Sequence, residues 1–146
     1  MFVSNASAQL PNPCALVTNA EVAKSVGDKI QSRTAGDPHS CTWNGVPYGT
    51  FMTTTPTLTL DVSQVTEAQF RRNAFSIVPG AEPGTMEREA GVLVKHVGTV
   101  AYSLVSGQEL IVWYRGIMLD VSSSALVSPL ETAKALAKIA LTRLPR

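Results

Sequence analysis

Charge, histidine and cysteine are all scarce in this chain, and each scarcity closes off a class of function. Charged residues make up 16% of the sequence and the net charge is +1. Apart from the pair Arg71-Arg72 the cations are scattered. No basic patch of the kind that neutralises phosphates is present, so nucleic acid is not an expected partner. Long apolar runs are missing too. Stretches such as Leu110 to Tyr114 fall far short of the ~20 residues that span a bilayer, so no transmembrane segment is expected. Cys14 and Cys41, like His39 and His96, stand too far apart for Cys-x-x-Cys or His-x-x-x-His spacing, which excludes the usual zinc sites. Glycines do not form a phosphate cradle: Gly80 and Gly84 lie in a Pro/Glu-rich stretch with no Lys-Ser/Thr after them. No cofactor is implied.

What remains is apolar enough to fold. Hydrophobic residues are 45% of 146, a length and composition suited to one continuous core and unlike those of disordered chains. Residues 1–10 are expected to be a flexible tail or a signal-peptide remnant, and 11–146 a single α+β domain. Ala6-Ser7-Ala8 before Gln9 has the small-x-small pattern that signal peptidase cuts, although the charged and apolar regions that precede such a site are missing. The two cysteines, Cys14 and Cys41, are expected to form one disulfide, as is common in secreted domains of this size; two buried free thiols are the alternative. Closing that loop would stabilise the fold by roughly 3 to 4 kcal/mol in the chain-entropy picture.

Three helix starts organise the chain, each a hydroxyl residue followed three positions later by Glu or Gln, so that each side chain satisfies a backbone N–H of the first turn. Thr18 with Glu21 opens a short helix that ends at Gly27, with Leu16, Val22 and Val26 available to a core. Thr66 with Gln69 opens a second, in which Phe70, Ala74 and Ile77 recur at helical spacing before Pro79-Gly80. Ser128 with Glu131 opens a third, with Pro129 at the first helical position. There Leu130, Ala133, Ala137, Ala140, Leu141 and Leu144 form one stripe, and Glu131, Lys134, Lys138 and Thr142 lie away from it.

Between the helices the hydrophobic period falls to two and the residues become β-branched and aromatic. Lys29 to Ser32, Ser40 to Asn44, Gly49 to Thr54 and Thr57 to Val62 read as strands, with Asn44-Gly45 as a turn and Pro56 as a break or edge marker. Val100 to Val105, Glu109 to Arg115 and Ile117 to Ser122 read as a meander turning at Ser106-Gly107 and Arg115-Gly116. Ile117, Leu119 and Val121 alternate with Met118, Asp120 and Ser122, as in a sheet wet on one side. The expected fold is therefore α+β: a mostly antiparallel sheet of about six to seven strands, with three helices on one face in the order helix, strands, helix, strands, helix. Pro79 to Gly91 is expected to be an exposed connection.

The segment Asn12-Pro13-Cys14-Ala15-Leu16-Val17-Thr18-Asn19-Ala20-Glu21-Val22-Ala23, followed by Gly27 and by Cys41-Thr42-Trp43, resembles a bacterial family of secreted proteins and lipoproteins of unknown function. That family opens its mature domain with Pro-Cys-x-Leu-Leu-Thr-x-x-Glu-Val and places its second Cys before an aromatic. Gly98, Ala101-Tyr102, the meander and Ser128-Pro129-Leu130-Glu131 are similar as well. Where the family often has Gly-x-Gly-Asp-x-Ala, this chain has His96-Val97-Gly98-Thr99-Val100-Ala101. The resemblance implies an extracytoplasmic location and a disulfide, and it brings no activity.

Candidate chemistry is thin. A nucleophilic triad would need a His base, and only His39 and His96 could serve. His39 lies in the polar loop Thr34 to Ser40, where solvation is the plainer reading, and His96 stands beside a turn. Acid–base pairs could be drawn from Glu87, Glu89, Asp61 and Asp120, with Glu87-Arg88-Glu89 reading more simply as a solvated segment. Trp113 and Tyr114 should point to opposite faces of their strand, so one of them faces away from the helix-covered core. With Arg115 that ring could anchor a ligand or partner, or it could merely cover its neighbours. The leading expectation is a secreted, periplasmic or cell-surface binding domain, non-enzymatic, whose partner is a protein, an envelope component or a small ligand. A small enzyme using His39 or His96 is the second reading, and a structural accessory module of an envelope protein the third.

Overall fold

A computed structural model describes residues 10–27, 29–36, 39–46, 55–74, 92–104, 108–124, 126 and 129–144. The tail through residue 9, the expected strand Gly49 to Thr54, Ile77 of the second expected helix, the stretch Pro79 to Gly91, the Ser106-Gly107 turn and the Ser128 cap lie outside them. Among the described residues, four helices, α1 (Pro13–Leu16), α2 (Asn19–Val26), α3 (Glu67–Ala74) and α4 (Pro129–Thr142), accompany seven strands, β1 (Ile30–Ala35), β2 (Ser40–Gly45), β3 (Thr57–Gln64), β4 (Val92–Leu93), β5 (Val100–Leu104), β6 (Glu109–Tyr114) and β7 (Ile117–Ser124). All pairings are antiparallel, and the strands make one sheet in the order β1-β2-β3-β7-β6-β5-β4.

Helix boundaries follow the capping chemistry. The Thr18 side chain accepts from the Glu21 N–H at 3.1 Å while the Glu21 carboxylate accepts from the Thr18 N–H at 2.9 Å, and Gly27 closes α2 in the left-handed region at φ 80. Thr66 and Gln69 make the same reciprocal pair at the start of α3. Pro129 is the first residue of α4. Ahead of α2, Asn12 caps α1 by accepting from the Cys14 N–H at 2.9 Å.

The main core lies between one face of the sheet and helices α1, α2 and α4. Cys41, Trp43, Leu58, Leu60, Val62, Leu110, Val112, Leu119 and Val121 meet Leu16, Val17 and Val22 there, together with Ala133, Leu136, Ala137 and Ala140. The alanines of α4 let its backbone lie close to the strands, and Leu136 widens the expected stripe on its buried side. The Cys14–Cys41 disulfide is formed, with a Cα separation of 5.2 Å, and it ties α1 to β2. The buried Trp43 indole donates to the Asn19 side chain at 3.0 Å, and Thr132 of α4 donates to the Ser25 carbonyl at 3.2 Å. At the far end of α4, Arg143 clamps the Glu21 carboxylate with two bonds of 2.6 and 2.7 Å and donates to the Leu16 carbonyl at 2.9 Å.

Two features of the sheet differ from the sequence expectation. Asn44-Gly45 is strand, not turn: Gly45 lies opposite Ile30 and donates to the Pro56 carbonyl at 2.8 Å, and Asn44 lies opposite Thr57. Ladder bonds from both neighbouring strands outweigh the local turn preference of an Asn-Gly pair. The helices, in turn, do not share one face. Phe70 of α3 is buried against Val100, Tyr102 and Ile111 on the opposite side of the sheet, in a second cluster edged by Val65, Leu104, Trp113 and Met118. The Arg115-Gly116 turn is as expected, with φ of 52 and 82 and Tyr114 paired to Ile117, the geometry of a two-residue type I′ hairpin.

Candidate functional site

The second face of the sheet changes character along its width. In a single row of cross-strand partners, Leu93, Tyr102 and Ile111 on β4, β5 and β6 give way to Asp120, Asp61 and Ser40 on β7, β3 and β2. The row above repeats the change, running from Val100 and Trp113 through Met118 to Ser63; the row below runs from Leu104 and Glu109 to Ser122, Thr59, Thr42 and Thr34. Helix α3 covers the apolar half. Over the polar half lies no described helix, and its side chains are largely half-exposed. Thr42 and Thr59 share a hydrogen bond of 3.0 Å between their hydroxyls, Thr57 and Ser124 one of 2.6 Å, and Asn44 donates to Ser32 at 3.2 Å.

Three carboxyl groups converge where the halves meet. Asp61 and Asp120 are directly opposite across β3 and β7, and Glu109 is the diagonal neighbour of Asp120 on β6, within reach of a long side chain. Asp120 Oδ1 is shut off from solvent and, among the described residues, has no hydrogen-bond partner. Burial, then the hydrogen bond and charge of Glu109, then the charge of Asp61, push the Asp120 carboxyl from its ordinary 3.8 up to about 9, so it holds its proton at neutral pH. Asp61 and Asp120 were legible as conceivable acid–base partners. Glu109 was not, because the link runs through a diagonal contact that only the register supplies. The expectation that Asp120 would face solvent fails for the same reason: its face is a second interior on one side. No group of three or more His, Cys, Asp or Glu among the described residues is placed to hold a metal ion.

Trp113, Tyr114 and Arg115 do not form one site. Trp113 faces the α3 side, half-buried, and its indole N–H donates to the Val65 carbonyl at 3.0 Å. Tyr114 points the other way and packs against the main core. The strand alternation was as read, but its premise of one bare face was not, since helices lie on both. Arg115 sits 5.0 Å over the Tyr114 ring, and these two with Leu141, Thr142 and Leu144 line an open groove of about 450 Å³ at the end of α4. His39 precedes β2 and His96, in the left-handed region at φ 68, precedes β5. Four strand spacings separate β2 from β5, roughly 19 Å, so the two histidines cannot serve one reaction centre. Glu87 and Glu89 lie outside the described residues.

Compared with protein-family models, curated proteins and solved structures, the chain matches none of them.

Proposed function

We propose that this chain is a non-enzymatic binding domain working outside the cytoplasm, and that it meets its partner through the polar half of the second sheet face. The observation that carries the reading is the division of that face. Helix α3 closes over β5 and β6, whereas the hydroxyls of β2, β3 and β7 stand half-exposed with no described helix above them. Paired hydroxyls such as Thr42–Thr59 can exchange their mutual bonds for bonds to a ligand without leaving a buried group unsatisfied. Trp113 and Met118 form the apolar border of the surface. The location is supported by the disulfide, by the small-x-small segment at Ala6 to Ala8, and by the resemblance of the Pro13-Cys14 and Cys41-Thr42-Trp43 segments to secreted bacterial proteins.

Site-specific photo-crosslinking in the native envelope fraction tests this. A crosslinker at Thr59, in the centre of the polar half, should label a discrete partner that the same group at Lys138, exposed on α4, does not. Equal labelling from the two positions, or none from Thr59, would sink the proposal.

A further inference from the structure

We propose that the seam between β3 and β7 is a proton-held latch: with Asp120 protonated the two halves of the sheet stay joined, and release of that proton to solvent loosens them. The inference is independent of the binding reading.

The seam is where the chain's two halves meet. Strands β1, β2 and β3 with α1 and α2 come from the amino-terminal half, β4 to β7 and α4 from the carboxy-terminal half, and β3 pairs with β7 over eight residues from Thr57↔Ser124 to Gln64↔Ile117. Asp61↔Asp120 sits in the middle of that ladder. Like charges directly opposite on adjacent strands repel, and here Glu109 adds a third from β6. One proton held by Asp120 removes one of the charges. Its oxygen Oδ1, sealed from water with no donor among the described residues to meet it, leaves an ionised carboxylate uncompensated.

Among the described residues, the groups facing Asp120 are Asp61 from β3 and, from β6, Glu109 with Ile111 between. Further along the same row β5 brings Tyr102, whose hydroxyl takes a hydrogen bond from Arg71 of α3 at 3.2 Å, and β2 brings Ser40, preceded by His39. A carboxyl that binds its proton more tightly in the folded state than in the unfolded one favours folding at low pH. Its contribution is complete below about pH 4 and is lost as pH rises towards about 9.

Urea unfolding of the whole chain and of Asp120→Asn, from about pH 4 to about pH 10, reads this directly. The ratio of unfolding constants, parent over variant, should climb several-fold per pH unit, with tenfold per unit as the limit for one proton. Amide exchange at Leu60, Val62, Leu119 and Val121, corrected for its intrinsic pH dependence, should quicken over the same range. A ratio that does not change with pH overturns the proposal. Carbon-13 titration of the Asp120 carboxyl, which needs no variant, should show a midpoint above about pH 7, and a midpoint below about pH 5 overturns it as well. Should Asp120→Asn fail to fold, Asp61→Asn serves instead: it should move the Asp120 midpoint down, and an unmoved midpoint counts against the latch.

Discussion

Reducing the Cys14–Cys41 bond should weaken this fold by an amount that can be worked out beforehand. The bond spans a separation of 27 residues. A cross-link over that length removes about 12 cal/mol/K from the unfolded chain, or about 3.5 kcal/mol at 25 °C. With about 2.1 cal/mol/K of unfolding entropy per residue over the 146 residues, the midpoint of thermal unfolding should fall by about 11 °C. The reduced protein should nonetheless keep its native fold. Leu16, Val17 and Val22 are all but fully buried, each worth about 1.5 to 3 kcal/mol of burial, and Trp43, Thr132 and Arg143 hold α1 and α2 by hydrogen bonds. Denaturant unfolding followed by circular dichroism, with and without reductant, measures both points without substituting a residue. A loss below about 1 kcal/mol would refute the loop-entropy account. A fall in m-value with loss of helical signal before the main transition would refute the claim that α1 and α2 are held by packing.

Two further perturbations probe other joints. Gly98 lies at φ +60, and a β-carbon there would stand 2.5 Å from Val112 Cγ1 and 3.1 Å from the Trp113 carbonyl, so Gly98→Ala should cost about 1 to 3 kcal/mol by urea titration, against a neutral result if the turn can shift. The Arg143 guanidinium on Glu21, aided by the Thr18 cap, holds that carboxyl down to about 2. Glu21 therefore favours the fold above its ordinary 4.5 and loses that contribution as pH falls towards about 2. Arg143→Met should bring the Glu21 midpoint back up, read by carboxyl carbon-13 titration, and an unchanged midpoint would mean the cap alone sets it.

Sequence reasoning reached most of the frame because local chemistry wrote it. Thr18-Glu21 and Thr66-Gln69 are capping boxes whose partners lie three residues apart, and Arg115-Gly116 is a two-residue turn, so no distant contact was needed to read them. Legibility ended where meaning depends on a partner strand. Asn44-Gly45 reads as a turn until Ile30 and Thr57 are placed beside it. The two-residue β4 is too short to show a period, and α3 was put on the wrong face because Phe70 fits either side of a sheet in the absence of register. Asp61, Glu109 and Asp120 are 48 and 11 residues apart along the chain, and only the order β3-β7-β6 makes them neighbours.

That order also explains why the sheet tolerates carboxyls at its middle. The main core, with Trp43, Leu58, Leu110 and Leu119 under three helices, supplies burial on one face across both halves of the chain, so the second face is not needed throughout for stability. A sequence shaped for stability alone would have continued the row Leu93, Tyr102, Ile111 with apolar residues at 120 and 61. Instead the row turns acidic at the seam, where opposed like charges repel and where a proton on Asp120 removes one of them. The energetic weakness lies beside the hydroxyl surface proposed for binding, so a ligand that brings a hydrogen-bond donor to Asp120 Oδ1 once the seam has opened would act on both. Such a donor stabilises the ionised carboxylate, so binding to the polar half should lower the Asp120 midpoint, by more for a cation than for a neutral group, and the size of that shift reports on the charge of the partner.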